Sequence, residues 1–454
     1  MTEPIEDNDH PRVALLAQAI HGVIGEFVAS GSVTLTSPIV FRHATIKQKG
    51  EFAPIVETSP VRDLTNTESA RSATIKRLMK LCKSAPYGEG GKTKINPEVR
   101  KAKQLRAGDG GFAIEGLDPE ALGILRAAQE VLAPEDPNAI RAVFYGLNVY
   151  ESGGHFVAHK DTPRGDDMVG TLVALLPSRY SGGTLCVQHQ GIERRFFERT
   201  RWGREVDLNG IQWAAFFGDV DHKIERVHSG ERVTLTWSLH RGEGGVARPT
   251  LAGTVRDRLA TALREAHADA SFFEDGVTLG LLCSHRYAHG IHAPVTRHAL
   301  TATTALALKG RDQQIALAAI DAGLEVVLRP LIAEECAEQV WPLRRFLTRA
   351  DEAMFRQVRL RASEIEARIE LAEGIEFVSN GLESAEGLPD YWLARPNQIG
   401  SSEGGEDSGM PAWRLLGETE YSATGYFGNE GGHTSFYAAA ALVITVPSTE
   451  ARAR

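Results

Sequence analysis

Between residues 138 and 245 the chain changes its period, and this stretch limits the fold more than any other. AIRAVFYGLNVY, MVGTLVALLP, GGTLCVQH, GIQWAAFFGD and ERVTLTWSLHR are short runs rich in β-branched and aromatic residues, divided by Gly, Pro, Asp and Ser. Strands of this length and spacing bury their apolar faces against one another, in a sandwich or barrel, so 138–245 is expected to be an all-β unit. With 454 residues the chain exceeds a single core. The flanks are read as an α+β region over 1–137 and a mixed α/β region of unassigned role over 246–454.

In the first flank, Leu15, Leu16, Ile20, Val23, Ile24 and Phe27 recur at helical spacing and predict a helix from Val13 to Phe27, followed by strand-like VTLTSPIVFRH. Further helices are predicted over 68–82 and from Asp118 to Leu132, the latter stopped by Pro134. In the second flank, TVRDRLATALREAH and the stretch from Leu343 to Ala372 have helical periodicity. The longer one carries Arg344, Arg345, Arg349, Arg356, Arg359 and Arg361 among glutamates, which reads as a salt-bridged outer face. Residues 379–409 are polar, acidic and Gly-rich, as in a long surface loop. The end, YFGNEGGHTSFYAAAALVITVP, returns to a strand-like run, and its Asn429, Glu430 and His433 read as part of a Gly-rich turn.

Composition narrows the partners. A formal net charge of -9 gives no overall basic field and disfavours nucleic acid. Cys82, Cys186, Cys283 and Cys336 have no C-x-x-C spacing, which argues against a zinc knuckle or disulfide framework and fits a reducing compartment. The acidic N-terminus has no signal-peptide pattern, and no apolar run reaches about eighteen residues. A cytoplasmic protein without a membrane partner is expected, and oligomeric state is not encoded in any of these features.

Within the all-β unit lies HFVAHKD, residues 155–161. Residues i and i+2 of a strand share a face, so His159 and Asp161 would aim an imidazole and a carboxylate at one point. Two His and one carboxylate on one face of a metal form the ligand set of O2-activating non-haem Fe(II). With 15 His in the chain, an H-x-D arises by chance about once, and His267-Ala268-Asp269 is such an accident, set in a helical pattern. Gly91-Lys92-Thr93 has the tail of a phosphate loop, but Pro86 stands where that loop requires Gly.

A further His and, for a dicarboxylate cosubstrate such as 2-oxoglutarate, a cation should lie on other strands of the same unit. DVDHKIERVHSGERVTLTW offers His222 and, after the turn expected at His228-Ser229-Gly230, Arg232 ten residues on. Arginine suits the task, because its planar guanidinium grips a carboxylate with two parallel hydrogen bonds. His189 has Arg199 at the same offset but sits in a crowded basic and aromatic stretch. His228, His240, His285, His289, His292, His298 and His433 have no Arg or Lys there. Asp219 and Asp221 could orient His222 or be exposed turn residues.

Tyr150, Gly153-Gly154, Phe156, His159, Asp161, GTLVALLP, the Gly182-Gly183-Thr184 turn, His222 and Arg232 together resemble the prolyl 4-hydroxylase type of Fe(II)/2-oxoglutarate dioxygenase. SAPYGEGGKT with Val99-Arg100, ALKGRD over 307–312 and GNEGG over 428–432 resemble segments of its large fungal and bacterial members. The resemblance implies a double-stranded β-helix (jelly-roll, cupin-like) core with helical N-terminal and mixed C-terminal extensions, an α+β chain overall. It implies Fe(II) on His159, Asp161 and His222, and 2-oxoglutarate held by Arg232 and Tyr150. It also implies O2 as co-reactant, with ascorbate an optional accessory. Phe156 stands where many relatives have Tyr, so one hydroxyl of the pattern is missing here. Hydroxylation of a protein side chain, prolyl or other, or of a small molecule would follow, with release of succinate and CO2. Two alternatives are a metal-binding β-helix acting as a binding or scaffold module without turnover, and a cupin-like metalloenzyme without cosubstrate, which leaves Arg232 unexplained.

Overall fold

The computed structural model describes residues 11–23, 25–35, 39–44, 52–58, 73–89, 92–136, 140–162, 167–199, 210–242, 249, 251–290, 299–333, 369–370, 376–378, 391–394, 426–427 and 435–453. It divides into two compact units. One comprises Phe27–Glu243 with Tyr426–Gly432, the other Met1–Glu26, Gly244–Gly425 and His433–Arg454.

The first unit is mostly β-sheet. Its principal strands are β1 (Val28–Thr34), β2 (Lys83–Ser84), β3 (Arg100–Lys101), β4 (Lys103–Arg106), β5 (Ile140–Tyr150), β6 (His155–His159) and β7 (Met168–Leu175), continuing with β8 (Leu185–His189), β9 (Ile192–Phe196), β10 (Gly210–Phe217), β11 (Asp221–Ile224) and β12 (Arg232–Arg241). They form a seven-stranded sheet in the order β1-β10-β7-β12-β5-β4-β2 and a five-stranded sheet in the order β9-β8-β11-β6-β3. From β5 onward the chain alternates between the sheets, with β8 and β9 together in the smaller one. Leu147, Leu172, Ala174, Trp213 and Leu235 of the larger sheet share one buried core with Phe156, Leu185, Val187 and Ile224 of the smaller. Each large apolar side chain buried there contributes about 1.5–3 kcal/mol.

The strands at the centre of the larger sheet are buried on both faces, which is why GTLVALLP and RVTLTWSL read as near-continuous apolar runs instead of alternating ones. A helix at Ile124–Leu132 buries Ile124, Leu125, Ala128 and Leu132 at helical spacing and lies against β1 and β5. It starts later than its sequence pattern predicts. Residues 118–123 are spent in turns closed by Leu122 N–H to Asp118 O and Gly123 N–H to Glu120 O, and Gly123 is left-handed. The predicted turn at His228-Ser229-Gly230 is instead strand Val227–Gly230, paired with Tyr180–Gly182. Edge strand β9 presents Glu193, Arg194 and Arg195 to solvent, a charged edge that discourages pairing with another chain.

In the second unit, strand Ser435–Val446 pairs with Val277–Leu282 and Glu325–Ala333. Helices Pro11–His21, Val255–Ala268 and Gly310–Asp321 supply Val13, Leu16, Ile20, Leu259, Leu263, Ile315 and Ala319 to a core of its own. The first of these ends at His21, ahead of Gly22 and Gly25, so Phe27 is not helical and belongs to the core of the other unit. The Ala307–Asp312 motif has a structural role here. Asp312, buried in the first turn of its helix, accepts from Ser284 N and Oγ at 2.7 and 2.8 Å, His285 N at 3.0 Å and Tyr287 Oη at 2.9 Å. His267 and Asp269 lie at a helix C-terminus in this unit. The predicted helix over 343–372 and loop over 379–409 lie outside the described residues, except that Ile369–Glu370 and Tyr391–Ala394 are strands. Arg344, Arg345, Arg349, Arg356, Arg359, Arg361, Cys336, His292 and His298 lie outside them too. Among the described residues no helix is long and apolar enough to cross a membrane.

Candidate active site

Strands β6 and β11 are antiparallel neighbours, and their register makes His159 and His222 cross-strand partners. Their ring centroids are 4.1 Å apart. Asp161 lies two residues beyond the end of β6, so the H-x-D motif straddles the strand terminus. Its backbone N–H is held by Gly218 O at 3.0 Å. Asp161 Oδ1 stands 3.7 Å from His222 Nε2, within about 1 Å of the separation of two donors that share one ion. Among the described residues no three His, Cys, Asp or Glu side chains converge closely enough to form a metal cluster as they stand. All three side chains are buried.

The hydrogen bonds of the two rings fix their tautomers. His159 Nδ1 lies 2.8 Å from Val157 O and His222 Nδ1 lies 3.1 Å from Val220 O. A carbonyl only accepts, so each Nδ1 carries the proton and each Nε2 keeps its lone pair for a metal. Burial, and then the neighbouring His222, push His159 well below the ordinary imidazole range, so this ring stays neutral as a ligand must. Neither Asp219 nor Asp221 orients His222 through Nδ1. Asp221 is exposed and accepts from Lys160 Nζ at 2.9 Å, whereas Asp219 is buried, contrary to a simple exposed turn.

These residues line a cavity of about 60 Å³ together with Tyr150, Arg232, Arg100, Asn148, Phe156 and Thr171. Tyr150 and Arg232 are register partners across β5 and β12. Arg232 is 1% exposed, and its Nε and Nη2 have no hydrogen-bond partner among the described residues. Its guanidinium carbon lies 5.5 Å from the ring centroids of both Tyr150 and Phe197, within cation–π range. Burial pulls Arg232 down from its usual value, yet guanidinium remains charged. A buried cation with free donors is a strong requirement for an anion. Gly183 makes room for it, because at φ 66° a Cβ there would come within 2.9 Å of Arg232 Cδ and of Val227 Cγ2.

No protein-family profile matches the chain, and no curated protein matches it. The solved structures similar to it include a Pseudomonas putida prolyl-4-hydroxylase, at 15% identity over 50% of this chain and 98% of that one, with a TM-score of 0.27. A Burkholderia pseudomallei oxidoreductase of the 2OG-Fe(II) oxygenase family is 12% identical over 53% and 95%, with a TM-score of 0.23. A Trichoplax adhaerens prolyl hydroxylase, solved with a hypoxia inducible factor peptide, is 10% identical over 52% and 96%, with a TM-score of 0.27. Likeness at this level assigns no family.

The structure thus brings together Tyr150, His159, Asp161, His222 and Arg232, all five residues singled out from sequence. Of the competing histidines, His292, His298 and His433 lie outside the described residues, and His189, His228 and His240 are away from the cavity. His189 ends β8 and packs 5.4 Å from Phe27, His228 is exposed, and His240 Nδ1 lies 3.2 Å from Asp167 Oδ2. Lys92 and Thr93 belong to a strand, Lys92–Lys94, rather than to a loop entering a helix, which removes the phosphate-loop reading. Sequence reasoning missed the polar wall of the cavity. Asn148 Oδ1 accepts from Arg100 Nη2 at 3.0 Å and Gln104 Nε2 at 2.9 Å, and Asn148 Nδ2 donates to Thr236 Oγ1 at 3.1 Å. Arg100 also lies 4.5 Å over Phe156, which stacks on His159 at 3.5 Å. The visible signal was a polar residue inside an apolar strand, as with Asn148 and Thr171. The SAPYGEGG segment joins this unit as well, with Tyr87–Glu89 pairing to Tyr426–Phe427, the start of the YFGNEGG run. Asn429, Glu430 and His433 lie outside the described residues.

Proposed function

We propose that the chain is an Fe(II)- and 2-oxoglutarate-dependent dioxygenase that hydroxylates a protein side chain or a small molecule. The strand order supports a double-stranded β-helix, because the chain from β5 to β12 alternates between two sheets that share one core, with the β8–β9 hairpin counting as one step. The observation that carries the functional reading is the buried Arg232 with unpartnered donors, lining the same cavity as two imidazoles and a carboxylate.

His159, Asp161 and His222 would hold the iron, and Arg232 with Tyr150 would hold the far carboxylate of 2-oxoglutarate. Once bound, iron, O2 and 2-oxoglutarate supply the oxidising power, with succinate and CO2 released. The protein turns Nδ1 of both imidazoles to backbone acceptors so that each Nε2 keeps its lone pair, encloses the site in apolar side chains such as Val173, Leu185 and Phe216, and fixes the cosubstrate cation at a register position. The test is succinate formation from 2-oxoglutarate by the purified chain with Fe(II), ascorbate and cell extract as substrate source. His159→Ala or Arg232→Ala should abolish it, and full turnover by either variant overturns the reading.

A binding module without turnover is the second reading. It predicts metal binding with no succinate formed from any extract.

A further inference from the structure

Thr171 stands on β7, between β10 and β12, opposite Phe216 on one side and Ser238 on the other. Its hydroxyl donates to Asp161 Oδ2 at 2.6 Å. The other oxygen, Oδ1, is the one 3.7 Å from His222 Nε2. Thr171 is 7% and Asp161 6% exposed, so no bulk water competes for Oδ2. We infer that Thr171 is a positioning residue that ties up one oxygen of Asp161 and leaves a single oxygen for the metal. The inference rests on the proposed role of His159, Asp161 and His222 as metal ligands.

Three features make the restraint stiff. A β-branched side chain on a strand has few χ1 choices, so the hydroxyl cannot follow a carboxylate that swings. The strand itself is pinned on both edges. Asp161 is also held from behind, through its N–H to Gly218 O at 3.0 Å. A hydroxyl has one proton to give, and here it goes to Oδ2. A carboxylate binds metals through one oxygen or two, and the second mode takes a position that a ligand or water would otherwise occupy. On the far side of the Asp161–Thr171 contact is a chamber of about 20 Å³, lined also by Tyr145, Thr162, Met168, Thr236 and Ser238. That volume holds about one water, so the carboxylate has room to turn once the hydroxyl is gone.

A threonine that only satisfied a buried polar atom would change stability when replaced, without changing how many sites on the metal exchange with water. The two roles are separated by titrating the full-length protein with Mn(II), following free Mn(II) by electron paramagnetic resonance and bound water by proton relaxation. Wild type should bind one Mn(II), in a manner lost in His159→Ala and His222→Ala, with about three exchangeable positions. Thr171→Val keeps the shape and removes the donor. It should lower the relaxivity of bound Mn(II) by about a third and weaken binding roughly ten- to hundred-fold, and Thr171→Ser should restore both. If the valine variant does not fold, Thr171→Ala carries the same two expectations. Unchanged relaxivity and affinity in the hydroxyl-free variant, with normal wild-type binding, overturn the role of Thr171 alone. A wild type that binds no Mn(II) through the two histidines overturns the metal-site reading beneath it.

Discussion

Tyr150 and Arg232 face each other across the β5–β12 ladder, with the guanidinium carbon 5.5 Å from the phenol ring centroid. Both positions belong to long strands inside a sheet, so the cation is held by backbone register and not by a loop. The protein thereby maintains a buried charge with two unused donor atoms, an arrangement that is unfavourable until an anion arrives.

Replacing that charge by an apolar side chain should stabilise the ligand-free protein. Arg232→Met is expected to raise the unfolding free energy of the β-rich unit by about 1–4 kcal/mol, the range seen when buried ionic groups give way to packed apolar ones. If the proposed function holds, 2-oxoglutarate should raise the melting temperature of wild type, and the same variant should lose that rise. Thermal unfolding with and without 2-oxoglutarate checks both halves. A less stable Arg232→Met protein would mean that the guanidinium is already well compensated.

Gly183 and Gly191 offer a matched pair. Both have positive φ, 66° and 77°, but only a Cβ at Gly183 would meet Arg232, whereas Gly191 faces open space. Alanine at either position should cost about 1–3 kcal/mol of stability from left-handed strain. Only Gly183→Ala should also weaken 2-oxoglutarate, by roughly ten-fold or more. Isothermal titration on both variants gives the comparison.

The metal-free protein should be acid-sensitive through His159. Burial lowers its pKa in the folded state, so between that value and the unfolded value of about 6.5 the unfolded chain binds more protons. Stability from this group is therefore complete above about pH 6.5 and is lost as pH falls through the window below. Denaturant melts of the apo protein at a series of pH values should show the decline, and His159→Gln should flatten it.

In the other unit, Asp312→Asn would turn an amide NH2 toward donors that now point at a carboxylate oxygen. Leaving such buried donors unmatched should lower stability by roughly 2–5 kcal/mol. Succinate formation at temperatures below the transition should persist, since this carboxylate belongs to the knot around Ser284, His285 and Tyr287. Loss of activity in a folded Asp312→Asn protein would give the motif a role beyond packing.

Free thiols give a chemical check on the packing. Burial raises Cys82 to about 12 and Cys186 to about 11, and raises Cys283 well above its ordinary value. The thiolate is the reactive form, so these three should resist alkylation at neutral pH in the native protein and react after unfolding, as read by mass spectrometry.

Four of the candidate site residues were legible in patterns that sequence displays, an H-x-D at strand period for His159 and Asp161 and a fixed offset from His222 to Arg232, whereas Tyr150 was singled out only through the family resemblance. Arg100 and Gln104 were not, since their roles depend on cross-strand neighbours far away in the chain, and Thr171 was marked only as a polar residue in an apolar strand. The short strands Lys83–Ser84, Arg100–Lys101 and Lys103–Arg106 were equally hidden. Runs of two to four mostly polar residues are too short to display alternation, and only an existing sheet edge makes them strands. The helix at Ile124–Leu132 was visible in type but not in its start, because Gly123 imposes a left-handed residue that apolar periodicity ignores.

Each candidate ligand histidine is oriented by the carbonyl two residues before it, Val157 within β6 for His159 and Val220 in the bend just ahead of β11 for His222. A segment of this kind carries its ring and the brace for that ring as one short cassette. Once β6 and β11 have zipped together, both imidazoles are aimed without help from any other side chain. The surrounding walls can then diverge widely in sequence while the paired rings keep their aim, and a metal of the proposed kind, arriving late, would find half of its socket already cut.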